Sequence, residues 1–404
     1  MTAAPRGRLV VHGHFYQPLR VDPFSGRIPP DPSAAPFHDW NARVDAECYR
    51  PNAERGTLSR ISYDIGPTLA GWLERESPPS YRGFVDADAG PRDSAGARAR
   101  NAIAQPFHHS ILPLASAADR RTEIRWGIRD FELRFGRRPE GMWLPETAVD
   151  IGTLRAMVAE GIRYTILAPW QSTTANLETR RPYRVELGGG RSIVVAFYDA
   201  GLSSAVSFEP AATADADRFA RDRVAPRFGG TPFADGEPGL VVIATDGELY
   251  GHHQQFRDLF LQRLVSPSAS TPDRGFDIAT LESALLEERS WQLPTTRIAE
   301  RTSWSCHHGV ARWTHECPDA ADGRWKGPLR AALERAAGAI DAVTAMQLGA
   351  LPGSPDLAEA RDAYVDVVAG AEPSHAFADR LLGHSRRAAA VRGLLDLLEA
   401  QRWR

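Results

Sequence analysis

The chain has 404 residues, 43% of them hydrophobic, and a formal net charge of −3. That length carries one large α/β domain with a smaller appendage, and that charge gives no electrostatic case for nucleic acid or an anionic membrane. The only lysine, Lys326, lies in no glycine-rich loop, which excludes Schiff-base and phosphate-loop chemistry.

After the N-terminus, Met1 to Arg8, the short apolar run Val10-Val11 is interrupted at once by the polar His12. No apolar run reaches the roughly 18 residues of a membrane span. The expectation is a soluble, cytoplasmic protein without a signal peptide. Cys48, Cys306 and Cys317 are too few and too scattered for a disulfide framework.

Arg8 to Val11 reads as a first strand that breaks into a loop at Gln17-Pro18. His12 and His14 are two apart, so both side chains face the same side of that strand. Two such histidines suit either a metal pair or hydrogen bonds to a polar ligand. A Pro-, Gly- and Asp-rich stretch from Arg20 to Asn41 is a long loop over the strand ends. Ile61 to Pro67 reads as the second strand, Leu69 to Glu76 as a helix, and Gly83 to Asp86 as a third strand. Residues 86–97 read as a polar surface loop. His108 and His109 sit in a dense patch between Pro106 and Pro113.

The stretch Met142-Trp143-Leu144-Pro145-Glu146 follows a helical run from Trp126 to Arg137. It is a short strand stopped by proline, with Glu146 just beyond its C-terminal end. In α/β proteins that end is where chemistry gathers. By itself Glu146 also suits a helix cap or a surface salt bridge. Ile162 to Leu167 is a buried parallel strand. Tyr183–Leu187 and Ser192–Tyr198 flank Gly188-Gly189-Gly190 as a hairpin, with Asp199 at its end. Leu240 to Ala244 is a continuous apolar strand that ends in Asp246, Glu248, His252 and His253. So many polar groups at the end of a core strand are costly unless paired. A helix over Phe256–Leu264 follows.

Trp304, Cys306, His307, His308, Arg312 and Trp313 form a cluster ahead of a tail with helical periodicity from Trp325 onward. Cys306, Cys317 and the nearby histidines are zinc-ligand types, at a spacing that fits no standard finger. Trp304 and Trp313 are candidate stacking faces for a sugar.

Four of these segments, in order, resemble the motifs of glycoside hydrolase family 57: His12 to Pro18, Pro106 to Leu114, Trp143 to Glu146, and Asp246 to His253. The resemblance spans roughly residues 8–315. Phe15 and Tyr16 separate His14 from Gln17-Pro18, where common members have a tighter motif. Trp304-Ser305-Cys306-His307-His308-Gly309 resembles a subgroup of that family. The resemblance implies an α/β fold, an incomplete parallel (β/α)7 barrel over residues 1–290. A C-terminal helical bundle, 291–404, would close over the cleft. It implies a retaining enzyme that cleaves or transfers α-1,4-glucan, as an amylase, a 4-α-glucanotransferase or a branching enzyme. Glu146 would be the nucleophile and Asp246 the acid/base. Candidate substrate contacts are His12, His14, Gln17, His109, Trp143, Asp199, Glu248, His252, His253, Trp304, His308 and Trp313. No cofactor or metal is expected, and the partner is an α-glucan; the oligomeric state stays open. The rival from another class is a metal-dependent amidohydrolase or polysaccharide deacetylase with His12, His14, His109, Asp246 and His252 as ligands.

Overall fold

The computed structural model describes residues 7–89, 100–229, 233, 239–266, 275–286, 293–318, 322–350, 355–382 and 388–404. Among them lie nine strands: β1 (Gly7–Phe15), β2 (Ser62–Ile65), β3 (Ala102–Ile103), β4 (Tyr164–Leu167), β5 (Tyr183–Gly188), β6 (Arg191–Phe197), β7 (Leu240–Asp246), β8 (Phe276–Ile278) and β9 (Thr295–Thr296).

Parallel pairing runs β3-β2-β1-β7 on one side and β4-β6 on the other. Bridges from Ala104 to Met142 and from Gly141 to Tyr164 join the two halves. The Asp199 amide donates to the Val242 carbonyl at 2.8 Å, across the gap from the end of β6 to β7. Seven parallel staves thus surround one core, as expected for an incomplete (β/α)7 barrel. β1 and β7 are long and almost wholly buried, because apolar residues that alternate outward meet helices and those that alternate inward meet the barrel interior. β5 forms an antiparallel hairpin with β6 through the glycine turn, also as expected.

Two local expectations change. Gly83–Asp86 is not a strand: Pro78–Asp88 is one helix, entered by Pro78 and Pro79. Proline fits a helix's first turn, where its missing N–H has no partner to lose. The third stave is Ala102–Ile103 instead. The loop read over residues 86–97 is helix to Asp88, and residues 90–99 lie outside the described residues.

The helix Ala117–Phe135 packs close to the third stave. Ser116 caps its start and Gly136, at φ +65°, ends it. Gly127 on this helix has no room for a side chain: a Cβ there would lie 2.0 Å from the Gln105 carbonyl oxygen. The outer side of the same helix receives the tail. Trp126 donates to the Arg361 carbonyl at 3.0 Å, and Arg129 pairs with Asp366 at 2.6 Å. The tail's own core includes Tyr364, Phe377 and Leu394. The domain boundary expected at 290–291 lies outside the described residues. Residues beyond it still hydrogen-bond to the barrel: β9 pairs with β5, and Val149 bridges Thr302. No described helix is long and apolar enough to cross a membrane.

Gly127→Ala should destabilise the fold by about 2–3 kcal/mol through overpacking against Gln105. Gly71→Ala, where a Cβ meets only the ends of Arg75 and Arg134, should stay within about 1 kcal/mol and lean toward stabilisation. Urea unfolding of the two variants checks the contrast.

Candidate active site

The register of the first staves lines up three polar residues at the C-terminal edge. His14 on β1 lies opposite Asp64 on β2 and Asp246 on β7. Asp64 is fully buried and takes both histidines, His12 Nε2 on Oδ1 at 3.0 Å and His14 Nδ1 on Oδ2 at 2.7 Å. His14 Nε2 then meets His109 Nε2 at 3.0 Å. Burial alone would depress the His14 pKa. The charge and hydrogen bond of Asp64, with Asp246 and Glu248 behind, raise it instead to about 9. Burial and the His14 cation hold His109 down to about 3. At neutral pH His14 is therefore a cation that donates from both nitrogens, and His109 is a neutral acceptor.

Trp143 is the floor of this array. The rings of His12 and His14 stack on it at 5.0 and 5.2 Å. It is fully buried, and its face is occupied by imidazoles. Tyr16 stacks on His109 at 3.8 Å, which gives the Phe15-Tyr16 stretch a place in the array.

Glu146 sits in the left-handed region at φ 58°, followed by Thr147 at φ 46°. Non-glycine residues held there store strain, and such strain collects at functional positions. The helix-cap reading of Glu146 fails, because Asp150 caps Ile151–Ala159 by accepting from Thr153 N. Trp304 holds Glu146 twice. Its amide donates to the Glu146 carbonyl at 3.1 Å, and its indole Nε1 donates to Oε2 at 3.3 Å. Trp304 in turn meets Trp143 edge-on at 5.0 Å.

Asp246 remains accessible at the end of β7, yet protein crowds it enough to shift its titration. Desolvation raises its pKa, His14 opposes that, and the Glu146 charge adds to the rise. Glu248, next along, is buried. Tyr49 donates to its Oε1 at 2.5 Å, the Tyr16 amide donates at 3.2 Å, and burial lifts its pKa to about 7.

Other expected contacts lie further out. Gln17 receives Arg20 and donates to Tyr49. His252 pairs with Glu47 at 2.5 Å, and His253 is exposed beside it. Asp199 caps Ala200–Phe208 and pairs with Arg227 at 2.8 Å, so it is engaged structurally. Trp313 lines a groove of about 750 Å³ with Leu114, Trp325 and Arg330, and neither Glu146 nor Asp246 lines that groove. His308 turns to Cys306 and Cys317 rather than toward either carboxylate. The metal-ligand set of the rival reading does not assemble. His12 and His14 are taken up by Asp64, and His252 by Glu47. Among the described residues the only converging group of metal-ligand types is Cys306, His308 and Cys317.

Sequence reasoning missed Asp64, Tyr16, Tyr49 and Trp170. Asp64 carried a usable signal, a carboxylate at the end of a core strand. Trp170 is 46% exposed, donates to the Ser303 carbonyl and meets Tyr198 edge-on. An exposed indole pinned beside the Trp304 loop offers a stacking face.

Asp246 thus ends one parallel stave, and Glu146 follows the stretch bridged at Met142. The sequence model of glycosyl hydrolase family 57 matches residues 97–290, and a domain of unknown function, DUF3536, matches residues 322–404. Residues 97–290 thus carry the match to family 57, a family of glycosyl hydrolases. An exo-type maltose-forming amylase from Pyrococcus sp. ST04 superposes with a TM-score of 0.75 at 16% identity, over 98% of this chain and 73% of that one. A branching enzyme from Thermococcus kodakaraensis gives 0.64 at 17%, over 98% and 95%. A 4-α-glucanotransferase from Thermococcus litoralis gives 0.56 at 17%, over 74% and 42%. These identities speak for the fold. No curated protein matches the sequence.

The His14–Asp64 pair makes stability depend on pH. The folded pKa of His14, about 9, lies above its ordinary 6.5. Its contribution is full below pH 6.5 and is lost as pH rises through about 9. That loss is on the order of 3 kcal/mol. His14→Gln should be less stable at pH 6 and show a flatter profile from pH 6.5 to 9, by urea unfolding at each pH.

Proposed function

We propose that the protein is a retaining enzyme that cleaves α-1,4 linkages of an α-glucan in the manner of an amylase. Glu146 attacks the anomeric carbon and forms a glycosyl-enzyme. Asp246 protonates the departing glycosidic oxygen, then takes a proton from the incoming hydroxyl. A water in that second step gives hydrolysis, and a sugar hydroxyl gives transfer or branching on the same residues.

The observation that carries this reading is the coupling of the two carboxyls. Glu146 is fixed by Trp304 in a strained turn, and it stands near enough to Asp246 for its charge to add to the rise that burial gives the Asp246 pKa. A raised pKa is what a general acid needs near neutral pH. Trp304 Nε1 fixes one Glu146 oxygen by hydrogen bond, and the other is the attacking oxygen. The His14 imidazolium tempers Asp246, which must give up a proton as well as hold one. His253 and the exposed Trp170 suit hydrogen bonding to, and stacking on, sugar rings. The amylase, glucanotransferase and branching enzyme among the structural neighbours support an α-glucan as substrate.

Glu146→Gln keeps the acceptor for Trp304 but removes the nucleophile. It should lower kcat on amylose by about 10⁴-fold or more with an unchanged melting temperature. Asp246→Asn should lose as much on amylose but far less on an aryl maltoside whose leaving group needs no proton. Near-normal turnover by Glu146→Gln on amylose, maltooligosaccharides or glycogen would remove it from the mechanism, and product analysis on those substrates separates hydrolysis from transfer.

A further inference from the structure

Cys306, His308 and Cys317 lie outside the carboxylate site and bring three soft donor atoms together. Cys306 Sγ is 3.5 Å from Cys317 Sγ and 3.8 Å from His308 Nδ1, and Cys317 Sγ is 3.4 Å from the same nitrogen. A tetrahedral zinc, with Zn–S near 2.3 Å and Zn–N near 2.0 Å, separates its ligands by roughly 3.5–3.8 Å. The three spacings fall close to that triangle. A disulfide would need the sulfurs at about 2.05 Å, well short of the 3.5 Å between these two.

The backbone is arranged to present the three donors. Gly309 takes φ +62°, and a Cβ there would lie 2.2 Å from the Arg301 carbonyl oxygen, so the turn after His308 requires glycine. The Gly309 amide closes that turn on the Cys306 carbonyl at 2.9 Å, and the Val310 amide ties it to Arg301. Cys306 and Cys317 are buried, while His308 is exposed at the rim. Two thiolates and an imidazole select zinc over the hard cations, which want oxygen.

We propose that Cys306, His308 and Cys317 form a structural zinc site that fixes the loop carrying Trp304. Trp304 lies two residues before Cys306, and it is the residue that holds Glu146. The fourth ligand is water or His307, whose ring centroid lies 4.0 Å from that of His308. A metal at this position rivets the segment from 303 to 317 into one unit. It takes no part in bond cleavage, and the proposal stands whether or not the glycosidase reading holds.

The full chain, purified under reducing conditions and equilibrated with zinc, should retain close to one zinc per chain after gel filtration, read by elemental mass spectrometry. The Cys306→Ser/Cys317→Ser double variant should retain almost none, and His12→Ala/His14→Ala should keep it. Cobalt added to metal-free wild-type chain should give the visible bands of a tetrahedral thiolate site, a readout independent of whether the double variant folds. X-ray absorption on the zinc form should count two sulfurs, with one nitrogen fewer in His307→Ala if His307 is the fourth ligand. Absence of zinc from the reduced wild-type chain would overturn the proposal. So would full retention by the folded double variant, or a Cys306–Cys317 disulfide in the freshly purified protein.

Discussion

Asp64 is the group on which the site depends. It is a fully buried carboxylate with an imidazole on each oxygen. A lone carboxylate at that depth would be strongly unfavourable or would protonate. The His14 charge and the two hydrogen bonds hold its pKa below the ordinary carboxylate range against burial. In exchange, Asp64 keeps His14 charged. The His14 cation then sets the state of the next shell: it keeps His109 neutral and holds back the rise of Asp246. One buried carboxylate on β2 thus governs a cation on β1 and, through it, a titrating acid on β7.

Glu146, the proposed nucleophile, is held by a different principle. Glu146 has no charged partner described against it, and its placement comes from backbone strain and from Trp304. Two tryptophans divide the work. Trp143 is buried as the floor under the histidines, and Trp304 crosses its edge to reach the carboxylate. Displacement of either would move the imidazoles and Glu146 together, because the two rings touch.

Much of this was legible in the sequence, for identifiable reasons. β1, β7 and the hairpin strands have long apolar or alternating runs bounded by glycine or proline, and those runs became strands. Gly83–Asp86 misled because four residues carry too little periodicity to outweigh the two prolines that open a helix ahead of them. Glu146 and Asp246 stood out because each follows an apolar strand. Partner choice was harder to read. Trp143 and Trp304 look alike as sequence, yet one is buried and the other meets Glu146. Asp199 shares the strand-end setting of Asp246 but is used as a helix cap. The two tryptophan outcomes are set by packing across more than a hundred residues of separation, which local pattern does not encode.

The span between the residues that meet at the site has a temporal consequence. His14 and Glu146 belong to the first half of the chain, Asp246 comes a hundred residues after Glu146, and the tether on Glu146 comes from Trp304. During synthesis the barrel's early staves emerge long before that tryptophan leaves the ribosome. Glu146 is then a strained residue with neither of its anchoring hydrogen bonds, and the site is incomplete. The tether reaches Glu146 only once the segment around residue 304 docks. A chain cut short before that point would carry Glu146 without its tether.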